Sequence, residues 1–500
     1  MLTKNDQPIA VLGATGYIGA RLVPRLVAAG WRVRAIGRNP DKLRGRAWSN
    51  LAGVEIARGD VSDPASLQEA LQGCQAAYYL VHSMNSQVSD FARADRQAAF
   101  NMAAAAAVNG LQRILYLGGL GDDAPDLSHH LRSRREVGEV LRNGPVPVTI
   151  LRAAMIIGSG SASFEIMRYL VERLPVMVTP RWIFTRCQPI AVRNVLHYLV
   201  ACLDCPQTSG EVFDIGTEEV VTYDELMRIY AEEAGLPRRL IIPVPVLTPR
   251  LSSYWIHLVT PVPAALARPL AEGLRNPVLC KERRIRELLP QPLLDCRQAI
   301  RLALEKMRLQ DVETSWSDAG LLAPVEWSRH EDPAWAGGTI FKDDRRMLVK
   351  ATADRLWPAV VGIGGKTGWY YGDWLWHVRG WIDRLIGGPG LSRGRRNPQQ
   401  VQIGDALDFW RVLAVAPGHR LKLVAEMKVP GEAVLELVLM ECADGTSEVR
   451  QYARFKPRGL CGLLYWYAVL PFHNLVFAGM LRGIARASGA EISRGPEPLP

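Results

Sequence analysis

The feature that most constrains this chain is a glycine-rich turn, GATGYIG at residues 13–19, which lies between an apolar run and a helical pattern. Residues 9–12 are apolar and are bounded by Pro8 and Gly13, which is typical of a buried parallel strand. Apolar side chains then recur at helical spacing as far as Gly30. A glycine turn between a strand and a helix opens a βαβ unit, so this stretch predicts a nucleotide-binding fold.

Each glycine has an expected task. Gly13 turns the chain, Gly16 lets backbone N–H groups approach a pyrophosphate, and Gly19 lets the helix pack closely on the strand. The predicted cofactor contacts in the turn are Gly13, Ala14, Thr15, Gly16, Tyr17, Ile18 and Gly19.

The next strand, residues 32–36, indicates which nicotinamide nucleotide is expected. It is followed by Gly37 and Arg38, and not by the acidic residue that would bind a ribose 2′-hydroxyl. A guanidinium at this position suits a 2′-phosphate, so NADP(H) is favoured over NAD(H). The alternative is that Arg38 is simply a solvated arginine at a strand end.

Strands and helices continue to alternate along residues 1–310. Strand-like runs occur at residues 54–57, 76–81, 114–117 and 148–151, with a helix expected at residues 91–108. Six strands separated by helices predict an α/β Rossmann fold with a doubly wound parallel sheet, whose ligand lies at the carboxyl ends of the strands. Further cofactor contacts are predicted at Asp60, Val61, Val81, Gly118, Arg134, Ala154 and Met155.

With these motifs, residues 5 to about 310 resemble an atypical, NmrA-like short-chain dehydrogenase/reductase. The resemblance is carried by GATGYIG, RGDVSDPASL, YLGGLG, LRAAMIIG and RCQPIAVRNV. It extends to relatives of the complex I accessory subunit that holds NADPH, and to bacterial proteins that join such a domain to a C-terminal domain of unknown function. It implies an NAD(P)-binding oxidoreductase.

The Ser-Tyr-Lys triad that the resemblance implies is missing. The serine position falls on Gly118 or Gly119, and the Tyr-x-x-x-Lys frame falls on His130 and Arg134. His130 is predicted as a catalytic acid and Arg134 as a ribose contact. The alternative for His130 is a structural or exposed histidine beside His129.

A substrate subdomain is expected at about 180–290. Arg181 and Arg186 are predicted to hold an anionic group and Trp182 an apolar one, against the alternative of a surface rim loop. Prolines are expected to break every candidate helix in residues 237–279, and no uninterrupted apolar stretch of membrane length occurs there.

A second domain is predicted at 338–490, after a linker at 311–337 and before a tail at 491–500. Strands are expected at residues 341–351, 408–415, 421–427, 434–440 and 448–455, and Thr352 is expected to cap a helix. A charge-free stretch at 460–480 completes an α+β helix-grip fold that resembles START-like domains. Trp369 and Trp374 are predicted to line its pocket, or else to be core residues. The alternative is that residues 460–480 span a membrane. Association of this segment with a membrane surface is an intermediate possibility.

Composition narrows the partners. The chain carries 60 Lys plus Arg against 50 Asp plus Glu, a net charge of +10, but the charge is scattered and no nucleic-acid-binding pattern is found. Eight cysteines and no signal peptide ahead of Pro8 indicate a reducing cytoplasmic location, peripheral to the inner face of the membrane in one alternative. The only CxxC, Cys202 to Cys205, is read as packed helix cysteines, and no metal site is predicted.

Three functions remain open at this point, and one of them is a lipid carrier in which the nucleotide only stabilises the fold by binding the native state. The other two are as follows. The first is NADPH-dependent reduction or isomerisation of a hydrophobic carbonyl or quinone-like molecule. The second is a non-catalytic NADP-holding sensor, scaffold or assembly protein with a lipid-binding domain, in association with a membrane or a respiratory complex.

Overall fold

A computed structural model describes residues 2–4, 7–81, 91–121, 127–244, 248–260, 262, 264–308, 340–393, 395, 397, 399–442, 445–457 and 459–499. The chain divides into two compact units, Met1–Leu321 and Leu322–Pro500, each described by itself below. The linker predicted at 311–337 lies outside the described residues.

The first unit is built on a seven-stranded parallel sheet. The strands are β1 (Ile9–Leu12), β2 (Val33–Gly37), β3 (Val54–Arg58), β4 (Ala76–Tyr79), β5 (Arg113–Gly119), β6 (Val148–Ala153) and β11 (Val212–Ile215). Their order is β11-β6-β5-β4-β1-β2-β3, so the winding direction reverses between β1 and β4. The six predicted strands and their doubly wound arrangement are confirmed. The seventh strand, β11, was not predicted.

Helices cover both faces of this sheet. They are α1 (Gly19–Ala28), α2 (Pro40–Arg44), α3 (Pro64–Leu71), α4 (Phe91–Val108), α5 (His129–Arg142) and α7 (Val192–Asp204). Alternate residues of β1 face opposite sides, since Ile9 and Val11 join one apolar cluster while Ala10 and Leu12 join another. A strand covered on both sides needs an unbroken apolar sequence, which explains why residues 9–12 carry no polar side chain.

The remainder of the first unit consists of short strands and helices outside the seven-stranded sheet. It contains β7 (Ile156–Ile157), α6 (Ala162–Arg173), β8 (Val176–Pro180), β9 (Arg186–Cys187), β10 (Ile190–Ala191), β12 (Val221–Thr222), α8 (Tyr223–Glu233), β13 (Leu240–Val244), α9 (Pro249–Val259), α10 (Ala264–Gly273), α11 (Arg284–Leu288) and α12 (Cys296–Arg308). The substrate subdomain predicted at about 180–290 falls among these elements and stays a prediction.

The expectation that prolines break every helix in residues 237–279 is wrong. Pro249 is the first residue of α9, where a missing N–H costs nothing, and Thr248 caps that helix by accepting from the N–H of Leu251 at 3.3 Å. Pro269 lies inside α10.

The second unit is an antiparallel sheet with three helices. The strands are β14 (Phe341–Lys350), β15 (Ala406–Leu407), β16 (Trp410–Ala416), β17 (Arg420–Ala425), β18 (Gly431–Glu441), β19 (Ser447–Pro457) and β20 (Glu491–Pro498), in the order β15-β16-β17-β18-β19-β14-β20. The helices are α13 (Ala353–Val361), α14 (Asp373–Leu385) and α15 (Gly459–Ala487). The predicted antiparallel sheet with a long apolar helix is confirmed.

Two details of the second unit differ from expectation. The predicted tail is not separate from the fold, because Glu491–Pro498 pairs with β14 as an edge strand. Thr352 precedes α13 but its side chain makes no capping bond; the N–H of Ala353 donates to the Glu441 carboxylate instead, at 3.1 Å.

The long helix α15 has two different halves. Residues 476–481 are buried, and Met480, Leu481 and Ile484 are fully enclosed in the core of the unit. Most of residues 461–475 are exposed or half-buried. Within the described residues, α15 is the one helix long and apolar enough to cross a membrane. Because its second half is the core of the folded unit, spanning a bilayer would require that core to open.

Candidate cofactor and substrate site

The glycine turn has the geometry that a pyrophosphate site requires. Gly13 has φ +83°, and a Cβ there would lie 2.8 Å from the Leu80 carbonyl oxygen of the neighbouring strand. A Cβ at Gly19 would overlap the carbonyl of Gly13. Both positions therefore exclude any other residue, as predicted for a tight turn and for close packing of helix on strand.

The start of α1 is suited to an anion. Its N-cap, Ile18, provides no side-chain capping bond, and no acidic residue lies in the first turn. Uncapped N–H groups and the positive end of the helix dipole favour phosphate. Beside them, Ala14 is fully buried and the Thr15 carbonyl accepts from Arg46 at 3.3 Å. The Tyr17 ring lies 4.1 Å from the Arg21 guanidinium.

The residues predicted around the adenosine end lie on neighbouring strand ends. Arg38 directly follows β2; it is exposed and makes no hydrogen bond or ion pair within the described part of the chain. One carboxylate oxygen of Asp60 accepts from the N–H and hydroxyl of Ser62, at 2.9 and 2.7 Å, which fixes this side chain after β3. The Val61 carbonyl accepts from Asn101 at 2.8 Å.

The residues predicted around the nicotinamide end lie at the same edge of the sheet. Val81 follows β4, Gly118 is the next-to-last residue of β5, and Ala154 and Met155 follow β6. Adjacent parallel strands end at one edge, so the structure brings these residues to the same side as the glycine turn.

His130 and Arg134 lie one turn apart on the first part of α5, which Ser128 caps by accepting from the Leu131 N–H at 3.3 Å. Arg134 donates to the Leu117 carbonyl at 3.4 Å, and its guanidinium lies 5.6 Å from the Tyr116 ring. It is thus held against β5.

The charge of His130 differs from what a proton donor needs. Burial, together with the positive charges of Arg134 and His129, lowers the pKa of His130 to about 3. At neutral pH the ring is therefore uncharged, and it can donate a hydrogen bond but not the proton of an imidazolium. The role of catalytic acid predicted for His130 stays a prediction.

A cavity of about 200 Å³ opens between this edge of the sheet and helices α6, α8, α9 and α10. The main residues that surround it are Gly119, Leu120, His130, Ala153, Ala154, Met155, Met167, Leu170, Met177, Thr179, Trp182, Tyr223, Met227, Ser252, Ile256, Leu270 and Leu274. None of the described lining residues is Asp, Glu, Lys or Arg. The cavity is therefore an apolar and uncharged site that reaches the predicted nicotinamide position.

The predicted substrate residues are divided by the structure. Trp182 lines the cavity, whereas Arg181 and Arg186 are exposed and do not line it. The prediction that these arginines hold an anionic group is therefore wrong for this cavity. They lie in and after a short 3-10 turn, Arg181–Phe184, in which only Trp182 and Ile183 face inward.

Sequence reasoning predicted Trp182 as an apolar substrate contact, but it missed the polar role of its indole N–H and missed Thr179 and Ser252 altogether. The Thr179 hydroxyl, the Trp182 indole N–H and the Ser252 hydroxyl are buried, and none has a hydrogen-bond partner within the described ranges. They come from β8, the turn after it and α9, so no spacing in the sequence connects them. Tyr223 also lines the cavity, and burial raises its pKa well above the usual value, so its phenol stays protonated.

The second unit has its own cavity of about 290 Å³, between the sheet and helices α14 and α15. Trp376, Trp410, Trp466, Phe477, Arg379 and His473 are among its lining residues. The predicted pocket residues are wrong here. Trp369 is 1% exposed in the core, where its indole N–H donates to the Asp408 carboxylate at 3.0 Å, and Trp374 is exposed on the outer face of α14.

All eight cysteines are free, and Cys202 is buried in α7. The described residues contain no group of three or more His, Cys, Asp or Glu arranged to hold a metal ion.

Comparison with known proteins agrees with this geometry. Residues 13–170 match the family described as NAD(P)H-binding, and residues 335–480 match the family described as protein of unknown function (DUF2867). These matches support an NAD(P)H-binding domain in the first unit, similar to atypical short-chain dehydrogenases/reductases, and a domain similar to DUF2867 in the second.

Several curated relatives share the first unit. Ceramide reductase of Caulobacter vibrioides is 29% identical over 243 residues, covering 48% of this chain and 75% of that protein. The (4-alkanoyl-5-oxo-2,5-dihydrofuran-3-yl)methyl phosphate reductase of Streptomyces griseus is 27% identical over 238 residues, covering 46% and 75%. The mitochondrial NADH dehydrogenase (ubiquinone) 1 alpha subcomplex subunit 9 of Arabidopsis thaliana is 25% identical over 244 residues, covering 47% and 60%. These relatives support an NAD(P)-binding oxidoreductase family.

Proposed function

We propose that this protein is an NADPH-dependent reductase of an apolar, uncharged carbonyl or quinone-like molecule, which binds in the cavity of the first unit. The observation that carries the proposal is the position of that cavity, since Gly119, Ala154 and Met155 belong both to its wall and to the sheet edge expected to hold the nicotinamide. A hydride acceptor seated there would lie next to the cofactor.

The residues of the chain suit binding and orientation more than proton transfer. NADPH, when bound, supplies the hydride. The apolar wall excludes water and places the acceptor, and neutral His130 offers a hydrogen bond to its oxygen. With glycine in the serine position and no imidazolium at position 130, we expect the proton to come from water at the cavity mouth.

The substrate also needs polar atoms away from the reacting carbon. A buried hydroxyl or indole N–H without a partner costs about 1–3 kcal/mol. A substrate oxygen that bonds to Thr179, Trp182 or Ser252 would remove this cost. One of the relatives is, by name, a reductase of ceramide, which agrees with an oxygen-containing apolar substrate.

The test is NADPH oxidation, followed by absorbance, with a panel of long-chain ketones and quinones. We expect turnover in the wild type, and loss of turnover in Leu270→Trp, which narrows the cavity at a wall residue outside the predicted cofactor contacts, with NADPH binding kept. Thr179→Val should raise KM more than it lowers kcat, while Thr185→Val, outside the cavity wall, should match the wild type. Turnover that survives in Leu270→Trp would place the reaction elsewhere.

The second candidate is a non-catalytic NADP-holding sensor or assembly protein. The observation that favours it is the combination of glycines at positions 118 and 119 with an uncharged His130. It predicts tight NADPH binding, measured by calorimetry, and no oxidation with any member of the panel. In either case, the cavity of the second unit is proposed to hold a hydrophobic ligand.

A further inference from the structure

The second unit exposes an unusual number of large apolar side chains on one helix. On α14, Trp374 is 68% exposed and Trp381 is 62% exposed. The other exposed apolar residues of this face are Val378, Ile382, Leu385 and, directly after the helix, Ile386. Their spacing of three and four residues puts them on one side of α14, which we call the outer face.

The exposed half of α15 continues this surface. Leu464, Tyr467, Phe472 and Leu475 are exposed on it. Val378 and Ile382 of α14 line the same cavity as Phe472 of α15, so the two exposed helix faces lie side by side. A contiguous patch of this kind on a folded domain marks an interaction site.

The charges around the patch indicate its partner. The two helices carry two carboxylates: Asp383 is fully buried, and Asp373 is exposed beside Trp374, where it accepts the Trp369 N–H at 2.8 Å. The backbone carbonyl of Lys428 accepts a hydrogen bond from Arg379 of α14, so this exposed lysine lies beside the helix. Lys366, seven residues before the first residue of α14, is also exposed. The whole chain has a net charge of +10. Tryptophans on an apolar helix face with cations at its edge are typical of a helix that lies in a membrane interface.

We propose that the second unit docks on an anionic lipid surface through the outer face of α14 and the exposed half of α15. The helices lie in the plane of the interface, with their tryptophans and tyrosine at headgroup depth. No part of the unit crosses the bilayer, because the second half of α15 stays in the core. This docking does not depend on the reductase activity proposed for the first unit.

The experiment is flotation of the purified full chain with vesicles made of equal parts phosphatidylcholine and phosphatidylglycerol. We expect the wild type to float with the vesicles and to float less with pure phosphatidylcholine. The double variant Trp374→Ser/Trp381→Ser should lose roughly 100-fold in partition coefficient, since two large apolar side chains no longer leave water. Leu464→Ser/Tyr467→Ser on α15 should also lose binding.

Phe100→Ser is the matched control, because Phe100 is exposed on α4 of the first unit. It should float like the wild type, and all variants should keep the near-ultraviolet circular dichroism of the wild type. A wild type that stays with the soluble fraction would overturn the proposal, as would a double variant that floats unchanged. The proposal would also be overturned if sedimentation showed that the protein forms a dimer through the patch and the protein did not bind vesicles.

Discussion

The two cavities of this protein differ in what surrounds them, and the difference separates their ligands. The cavity of the first unit adjoins the predicted nucleotide site, which is made of the glycine turn and strand ends. Its described lining has no Asp, Glu, Lys or Arg, and its two titratable residues, His130 and Tyr223, are neutral. The cavity of the second unit is formed by side chains from distant strands and helices, and Arg379, Arg454 and His473 line it. The first therefore suits an uncharged substrate, and the second a ligand with a hydrogen-bond acceptor at one end.

Arg345, Asp343 and His473 form a polar group beside the second cavity, which His473 lines. Arg345 donates to the Asp343 carboxylate at 2.6 Å and to the Asn474 side chain at 2.5 Å. His473 lies 3.7 Å from the other carboxylate oxygen of Asp343. Substitutions at these positions should change the stability of the second unit without changing nucleotide binding by the first unit.

The largest expected effect is that of Arg345→Met. It leaves the Asp343 charge buried without its main partner, and breaking such a pair costs about 3–5 kcal/mol. We expect the second unit to unfold at markedly lower denaturant concentration, monitored by tryptophan fluorescence, while NADPH affinity does not change. Arg346→Met is the control, since Arg346 pairs with Glu497 on the exposed side and should cost at most about 1 kcal/mol. Equal costs for the two variants would contradict the assignment.

The same pair gives a pH dependence. Burial alone would raise the pKa of Asp343, but His473 and Arg345 lower it below the usual value. The stabilisation is therefore present above the pKa of an unfolded aspartate and is lost as the pH falls through the folded value. The ordinary aspartate pKa sets the range to examine, roughly pH 5 to pH 3. Across that range, we expect the midpoint of urea unfolding to fall more steeply in the wild type than in Asp343→Asn.

Gly19→Ala should have the next largest effect, and only on the first unit. The added Cβ meets the Gly13 carbonyl, so the turn must open and the α1 amides move away from the phosphates. We expect NADPH affinity to fall by roughly 100-fold, about 2.7 kcal/mol, in a calorimetric titration. Gly273→Ala is the control, because a Cβ there meets nothing nearer than 3.8 Å. Unchanged affinity in Gly19→Ala would show that the nucleotide does not bind at this turn.

These positions also show what the sequence could and could not predict. Six of the seven strands of the first sheet and the glycine turn were predictable, because buried parallel strands need apolar runs and Gly13 and Gly19 leave no space for a side chain. Trp182 was predicted as a substrate residue, but the rest of the uncharged cavity wall was not, since Thr179 and Ser252 join that wall only through tertiary packing. The same holds for Trp369 and Trp374, which are five residues apart but differ completely in burial. Trp369 lies in the turn before α14 and packs in the core, whereas Trp374 lies on an exposed face of α14.

Arg38→Ala should have a smaller effect. Arg38 is exposed, so its contact with a 2′-phosphate would be partly screened by solvent and salt. We expect the dissociation constant for NADPH to rise roughly tenfold and that for NADH to stay the same. Arg44→Ala is the control, because Arg44 is exposed on α2 and pairs with Asp41. A loss of affinity for both nucleotides alike would mean that Arg38 acts on the fold and does not select the cofactor.

The smallest expected effect is that of His130→Gln. Because burial, Arg134 and His129 lower the pKa of His130 to about 3, its ring is already neutral across the range in which a histidine acid usually titrates. Glutamine keeps a hydrogen-bond donor of similar reach, so turnover should stay within about threefold of the wild type. An ordinary histidine titrates between roughly pH 5 and pH 8. Across that range, the pH profile of kcat should be the same in the wild type and in His130→Gln. His129→Gln, an exposed neighbour, controls for the loss of an imidazole from α5. A large loss of turnover in His130→Gln, together with loss of the limb near neutral pH in the pH profile of kcat, would contradict this expectation. It would show that the His130 imidazolium forms in the bound complex and delivers the proton. The cavity of the first unit would then contain the acid that it otherwise lacks.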